Sequence, residues 1–241
     1  MSLYFELTRV SKRFGRRWAL ANLSLSGHAG TIVLLTGENG AGKTTLLRIL
    51  ATVSKPMFGH LQLFGLEAAK HLHVIRPQLA FITHESHHYD SLSAVENLRL
   101  FQQLRGEDDP RAIRRVLDDA GLRRHADRPV SGYSAGMKRR LAMARLLLGR
   151  PRLALLDEPF GQLDAEGVQW VEDAIRALRG RGTTCVLSTH DLARGQALSD
   201  VHVPLSQGRL ASQPPPEPAA PPGPAAATAG EARASGGHAA P

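Results

Sequence analysis

The sequence predicts an α/β fold: a buried parallel sheet with helices packed around it and a helical block inserted part-way along. Three observations carry this. Thr31 to Thr36 is an apolar run that stops in the turn Gly37-Glu-Asn-Gly40-Ala-Gly42 and restarts as a helix with Leu46, Leu47, Ile49 and Leu50 on its apolar face. Two more apolar runs, Leu153 to Leu156 and Thr183 to Leu187, end in Asp157-Glu158-Pro159 and Thr189-His190-Asp191; runs this short and apolar suit strands buried on both faces. From Ser93 to about Gly149 the pattern changes to that of helices.

The elements follow in order. Leu3 to Val10 and Ala19 to Leu25 read as short strands around the basic turn Lys12-Arg-Phe14-Gly-Arg-Arg17. After the glycine turn and its helix, Gly59 to Gly65 alternates with period two and reads as a strand, residues 67–78 as helix or loop, and Leu79 to Thr83 as another strand. Ser93 to Glu96 has the form of a capping box, opening a helix through Phe101. Pro110 to Ala120 forms a second helix with Ile113, Val116 and Leu117 on one face, and Ser134 precedes a third from Met137 to Leu148. Ala165 to Arg179 reads as a helix closed by Gly180, and Val201 to Leu205 with Gly208 to Ala211 finish the sheet. From Ser212 the chain is Pro, Ala and Gly with almost no large apolar residue, so 212–241 is expected to be a disordered tail following one domain over 1–211.

Composition narrows the function classes. No run approaches the ~20 residues needed to cross a bilayer, and the N-terminus lacks the charged, apolar and small-residue pattern of a signal peptide, so a cytoplasmic protein is expected. The single cysteine, Cys185, excludes an internal disulfide framework and reads as a buried structural thiol. The net charge of +8 comes mostly from arginines spread over many helices, and only 5% of residues are aromatic. Without an aromatic-interleaved basic platform, no nucleic-acid partner is expected. An arginine-rich solvated surface is the favoured reading, with contact to a membrane surface or a partner subunit second.

The glycine turn carries chemistry. Between a strand and a helix N-terminus, successive N–H groups can point into one concavity that suits anionic phosphates. Gly37, Glu38, Asn39, Gly40, Ala41, Gly42, Lys43, Thr44 and Thr45 form this loop; Lys43 can reach β and γ phosphates and Thr44 can offer its hydroxyl to Mg²⁺. Parallel strands bring their ends to one edge, where open α/β sheets bind ligands. There Asp157 can hold Mg²⁺ through water, Glu158 can polarise a water in line with a γ-phosphate, and His190 can bond that phosphate or the water.

Tyr133-Ser134-Ala135-Gly136-Met137, followed by Lys-Arg-Arg-Leu-Ala-Met-Ala-Arg145, resembles the signature loop and helix of the ATP-binding cassette ATPases, and the resemblance spans nearly all of residues 3–211. It implies a phosphate-loop ATPase core with a small antiparallel β subdomain and an inserted α-helical signature subdomain at about 86–149. It further implies ATP and Mg²⁺, and a head-to-tail homodimer or paired cassette around two ATP molecules. Ser134 and Gly136 would cap the γ-phosphate held by the opposite subunit, Asp164 would communicate across the interface, and Phe14 matches the aromatic that stacks on adenine. An integral-membrane permease subunit would be the partner, with the chain peripheral on the inner face of the cell membrane.

There are departures from the family pattern. The lid loop that usually carries a Mg²⁺-touching glutamine reads Ile82-Thr-His84-Glu85-Ser86; counting back from Glu96-Asn97-Leu98 gives His84 or Glu85, and relatives with His-Gln here favour Glu85. Ala135, Met137 and Gly161-Gln162 replace the commonest residues, yet Ser134, Gly136 and Asp164 remain, so activity is expected. Within the family, Leu50-Ala-Thr52, the His84 and Tyr89 environment, Tyr133-Ser-Ala-Gly-Met-Lys138 and Asp157-Glu-Pro-Phe160 look most like the haem-exporter ATPases of cytochrome c maturation; multidrug and antibiotic exporters share much of the pattern. A soluble cassette ATPase acting on DNA or ribosomes would generally show a long heptad insertion, zinc cysteines or two cassettes. A degenerate regulatory cassette is opposed by Glu158 and His190.

Overall fold

Ten strands and seven helices alternate along the part of the chain that the computed structural model describes, residues 2–83 and 87–211. The order is β1 (Leu3–Phe14), β2 (Arg17–His28), β3 (Ile32–Thr36), α1 (Lys43–Leu50), β4 (Phe58–Leu63), β5 (Leu66–Glu67), α2 (Leu72–Ile75) and β6 (Leu79–Ile82). Then come α3 (Ala94–Gln103), α4 (Pro110–Asp119), α5 (Ala135–Gly149), β7 (Leu153–Asp157), α6 (Ala165–Gly180), β8 (Thr184–Ser188), α7 (Leu192–Leu198), β9 (Val201–Ser206) and β10 (Arg209–Leu210).

Two sheets result. An antiparallel one runs β2-β1-β4-β5; the other runs β10-β9-β3-β8-β7-β6 and is parallel except for the terminal β9-β10 hairpin. Because side chains alternate along a strand, each central strand feeds two cores. Val33, Leu35, Leu155 and Val186 face the antiparallel sheet and α1, whose Leu46, Leu47, Ile49 and Leu50 are fully buried. Ile32, Leu34, Leu156 and Leu187 face α6 and the Ala142, Met143 and Leu146 side of α5. A third core lies within the helical insertion, around Leu98, Ile113, Leu117, Val130 and Leu141. α5 contributes to both of these last two cores and so joins the insertion to the sheet.

The differences from the sequence reading have local causes. β1 and β2 run further than expected and nearly meet, leaving Gly15-Arg16 as the turn, because irregularities absorb the break in pattern. At two of them, Arg9 and Asn22 take left-handed φ values of 50° and 53°, their N–H groups donating to Ser24 Oγ and Ser11 Oγ. α5 begins at Ala135, two residues early, since Ser134 caps it by accepting from the Met137 N–H. Gly180 lies inside α6, and the left-handed residue that follows the helix is Gly182, with φ 86°. α7 was not anticipated: it is short and starts on Asp191, which reads as part of a strand-end turn but caps the helix from its side chain. The tail at 212–241 lies outside the described residues.

Candidate active site

The carboxyl ends of β3, β7 and β8 meet at one edge because the three strands pair in parallel, Leu35 opposite Ser188 and Asp157 opposite Ser188 in turn. The loop after β3 closes tightly there. Gly42, with φ 109°, caps α1, and a Cβ at this position would lie 2.5 Å from the Ala19 carbonyl oxygen, so only glycine lets the loop rest against β2. A cavity of about 460 Å³ opens over it, lined by Phe14, Asn39, Gly40, Ala41, Gly42, Lys43, Thr44, Thr45, Asp157, Glu158 and His190, together with Arg17 and Ala19. Residues up to 176 positions apart in sequence are thus gathered at one site.

Lys43 is buried, and its ammonium donates to the Gly37 carbonyl at 2.6 Å and the Glu38 carbonyl at 3.1 Å, so these two loop residues hold the cation from beneath. Asp157 is buried with Oδ1 accepting from Ser188 Oγ at 2.6 Å, and the residue lines the cavity. Glu158 follows in a left-handed backbone conformation, φ 52°, costing about 1–2 kcal/mol for a non-glycine residue. Its N–H donates to the Ser188 carbonyl at 3.1 Å; its Oε2 accepts from the His190 N–H at 3.2 Å, and Oε1 lies 3.4 Å from His190 Nε2. The strained turn therefore aims the carboxylate into the cavity beside the imidazole. Thr44 and Asp157, both lining this cavity, supply hard oxygen donors, a hydroxyl and a carboxylate. With phosphate oxygens and water they fit the requirements of Mg²⁺, which is seldom held by a closed protein cage. Among the described residues there is no cluster of three or more His, Cys, Asp or Glu side chains suited to a metal.

Ser134, Gly136 and Asp164 are absent from this cavity and gather elsewhere. Ser134 caps α5; Gly136 packs so closely on the following loop that a Cβ would lie 2.9 Å from the Gln162 carbonyl oxygen. Asp164 Oδ1 accepts from the Gly167 N–H at 2.8 Å and from Arg140 Nη2 at 2.7 Å, and these two bonds hold its carboxyl below the ordinary range. The exposed N-terminus of α5 is thus braced by the 160–164 loop of its own chain. Phe14 lines the cavity and is 54% exposed, with the Lys12 ammonium 5.5 Å from its ring centroid. Glu85 lies outside the described residues.

Sequence reasoning missed Arg17, Ala19, Ser188 and Arg139. Arg139 reads as one of many arginines on a solvated helix, yet it is buried and donates to the Thr83 carbonyl at 2.6 Å, where β6 leads into the lid loop. Burial lowers its pKa, opposed by the nearby charges of Asp157 and Glu158. Ser188 was within reach, as the residue at the end of β8 opposite Asp157 in a parallel register.

A phosphate loop, acidic strand end and strand-end histidine at one edge of a parallel sheet, with a separately capped signature helix, define an ATP-binding cassette ATPase. A sequence profile described as ABC transporter matches residues 20–161, more than half the chain, and the chain belongs to that family. It is 37% identical over 190 residues to the cytochrome c biogenesis ATP-binding export protein CcmA of Pseudomonas putida, covering 79% of this chain and 90% of that protein. It is 33% identical over 216 residues to the bacitracin transport ATP-binding protein BcrA of Bacillus licheniformis, covering 89% and 71%. Among solved structures, the ATP-binding subunit of an ABC transporter superposes with a TM-score of 0.80 at 28% identity over 86% of this chain and 88% of that one. A dimeric ATP-binding cassette in a post-hydrolysis state with ADP and Pi gives 0.79 at 26% identity over 86% and 96%. The chain is therefore an ATP-binding, ATP-hydrolysing cassette. No helix among the described residues is long and apolar enough to cross a membrane.

Proposed function

We propose that this chain is the ATPase subunit of an exporter, peripheral on the inner face of the cell membrane, working as a head-to-tail pair that drives a separate integral-membrane permease. The observation that carries the reading is the separation within one chain of the phosphate-loop cavity from the Ser134-Gly136 helix N-terminus. A second copy can bring that N-terminus, with its partial positive charge, to the γ-phosphate.

In this reading residues 1–211 form the ATPase domain, with the helical subdomain at about 86–149, and 212–241 form a tail. Phe14 stacks on adenine, and Gly37 to Thr45 cradle the phosphates with Lys43 on the β and γ groups. Thr44 and Asp157, with Glu85 from the lid loop, hold Mg²⁺, which when bound supplies charge neutralisation to the phosphate chain. Glu158 accepts a proton from the attacking water as its oxygen bonds to the γ phosphorus and the bond to the β-phosphate oxygen breaks, leaving ADP and phosphate. His190, held against Glu158 by the two contacts described, orients that water and the γ-phosphate. Asp164 reports between subunits through the braced loop.

The cargo we favour is haem, for cytochrome c maturation, supported by 37% identity to CcmA over 90% of its length. A drug or antibiotic exporter is the alternative, supported by the longer match to BcrA. The full chain should co-purify from membranes with a multi-spanning subunit that stimulates its ATPase; isolation with soluble nucleic-acid or ribosomal proteins alone would reject the exporter reading, and the subunit's own cargo decides between haem and drug.

A further inference from the structure

Phe14 and Arg17 are directly paired across the turn between β1 and β2, and both line the phosphate-loop cavity, as does Ala19 two residues on. Paired residues share a face of the sheet, so this end of the hairpin presents an aromatic ring and a guanidinium side by side. The guanidinium lies over the centre of the loop: a Cβ at Gly40 would be 2.9 Å from Arg17 Nη2 and 3.7 Å from its Cζ. Gly40, with φ 81°, makes room for it. Among the described residues no hydrogen bond or ion pair engages Arg17, whereas Arg140, Arg176, Arg179 and Arg194 each have a carboxylate partner. A planar fork of unpaired donors above the glycine loop is suited to phosphate oxygens.

Resting on the nucleotide-site reading above, we propose that Arg17 is a second phosphate-binding cation, gripping the phosphate chain of the nucleotide from the β2 side while Lys43 grips it from the loop. Phe14 and Arg17 then divide the ligand between them, base to the ring and phosphates to the guanidinium. The site selects nucleoside di- and triphosphates over nucleosides through a residue on the antiparallel sheet, outside the phosphate-loop motif. Charge-assisted bonds from a guanidinium to phosphate are among the strong ones, and the loss of one is worth about tenfold in affinity.

The test is calorimetric binding of ATP, ADP and adenosine to the full chain and its Arg17→Ala, Arg17→Lys and Lys43→Ala variants, with KM and kcat for ATP and the melting temperature of each. Arg17→Ala should weaken ATP and ADP about tenfold, leave adenosine within twofold of the parent, and raise KM more than it lowers kcat. Arg17→Lys should recover part of the affinity. Unchanged ATP binding in Arg17→Ala overturns the proposal, as does an equal loss for ATP and adenosine, which would make Arg17 a base contact or a structural residue. If Arg17→Ala is poorly folded, Arg17→Met, which keeps the apolar stem, gives the same comparison. Lys43→Ala separates the two readings: if it binds ATP like the parent, the phosphate-loop assignment fails, whatever Arg17 does.

Discussion

At the scale of single residues, burial and partners decide which ionisable groups can respond to pH. His88 is largely buried beside α5; it contacts the Lys138 carbonyl through Nε2 at 3.0 Å, while Nδ1 has no hydrogen-bond partner among the described residues. Burial pushes its pKa down to about 4, opposed by the bond to the Lys138 carbonyl and by Asp90 and helped by the Arg145 and Lys138 charges. The folded protein therefore keeps His88 neutral where the unfolded chain would protonate it, below about 6.5. Its contribution is complete above that pH and is lost as pH falls from about 6.5 towards 4. Urea unfolding across this window should show His88→Gln losing less stability than the parent, by on the order of 2 kcal/mol after discounting for partial exposure. Parallel curves would show that the imidazole is not held neutral. Cys185, buried in β8 with its thiol pushed up to about 12, is by contrast inert while the fold is closed.

At the scale of elements, the legible parts were those whose causes are local. The Ser93 capping box reads directly from Ser93 to Glu96, and both of its bonds form, Ser93 N–H to Glu96 Oε2 at 2.8 Å and Glu96 N–H to Ser93 Oγ at 3.2 Å. Ser93→Ala should cost about 1 kcal/mol and lower the melting temperature by a few degrees while leaving ATP affinity unchanged, since α3 does not touch the cavity. A loss of ATP affinity equal to the loss of stability would mean that insertion and core are one unit. The phosphate loop and the strand ends at Asp157 and His190 were legible for the same reason: each is a short motif ending an apolar run. α7 was not, because seven residues give too little periodicity. Arg17 and Arg139 were not, because their importance lies in what the fold puts opposite them, Gly40 in one case and Thr83 with Asp157 and Glu158 in the other. Sequence spacing cannot distinguish them from the arginines that lie on the surface.

At the scale of the whole molecule, the parallel register of β3, β8 and β7 assembles one half of the proposed catalytic centre, and α5 carries the proposed other half to a different part of the surface. The Arg140-Asp164 and Gly136-Gln162 contacts tie that second half to the loop leaving Glu158, so the two halves of one chain are mechanically linked. In the proposed head-to-tail pair ATP would be both substrate and adhesive: closure of two chains over two nucleotides would stabilise the closed state, and hydrolysis would remove that stabilisation. The most direct test is sedimentation of Glu158→Gln with and without Mg-ATP, together with its phosphate release. The account predicts a monomer without nucleotide, a dimer holding two ATP per pair, and turnover reduced by at least about a hundredfold for want of the general base. A variant that stays monomeric in saturating ATP, or that hydrolyses ATP at the parent's rate, would contradict it.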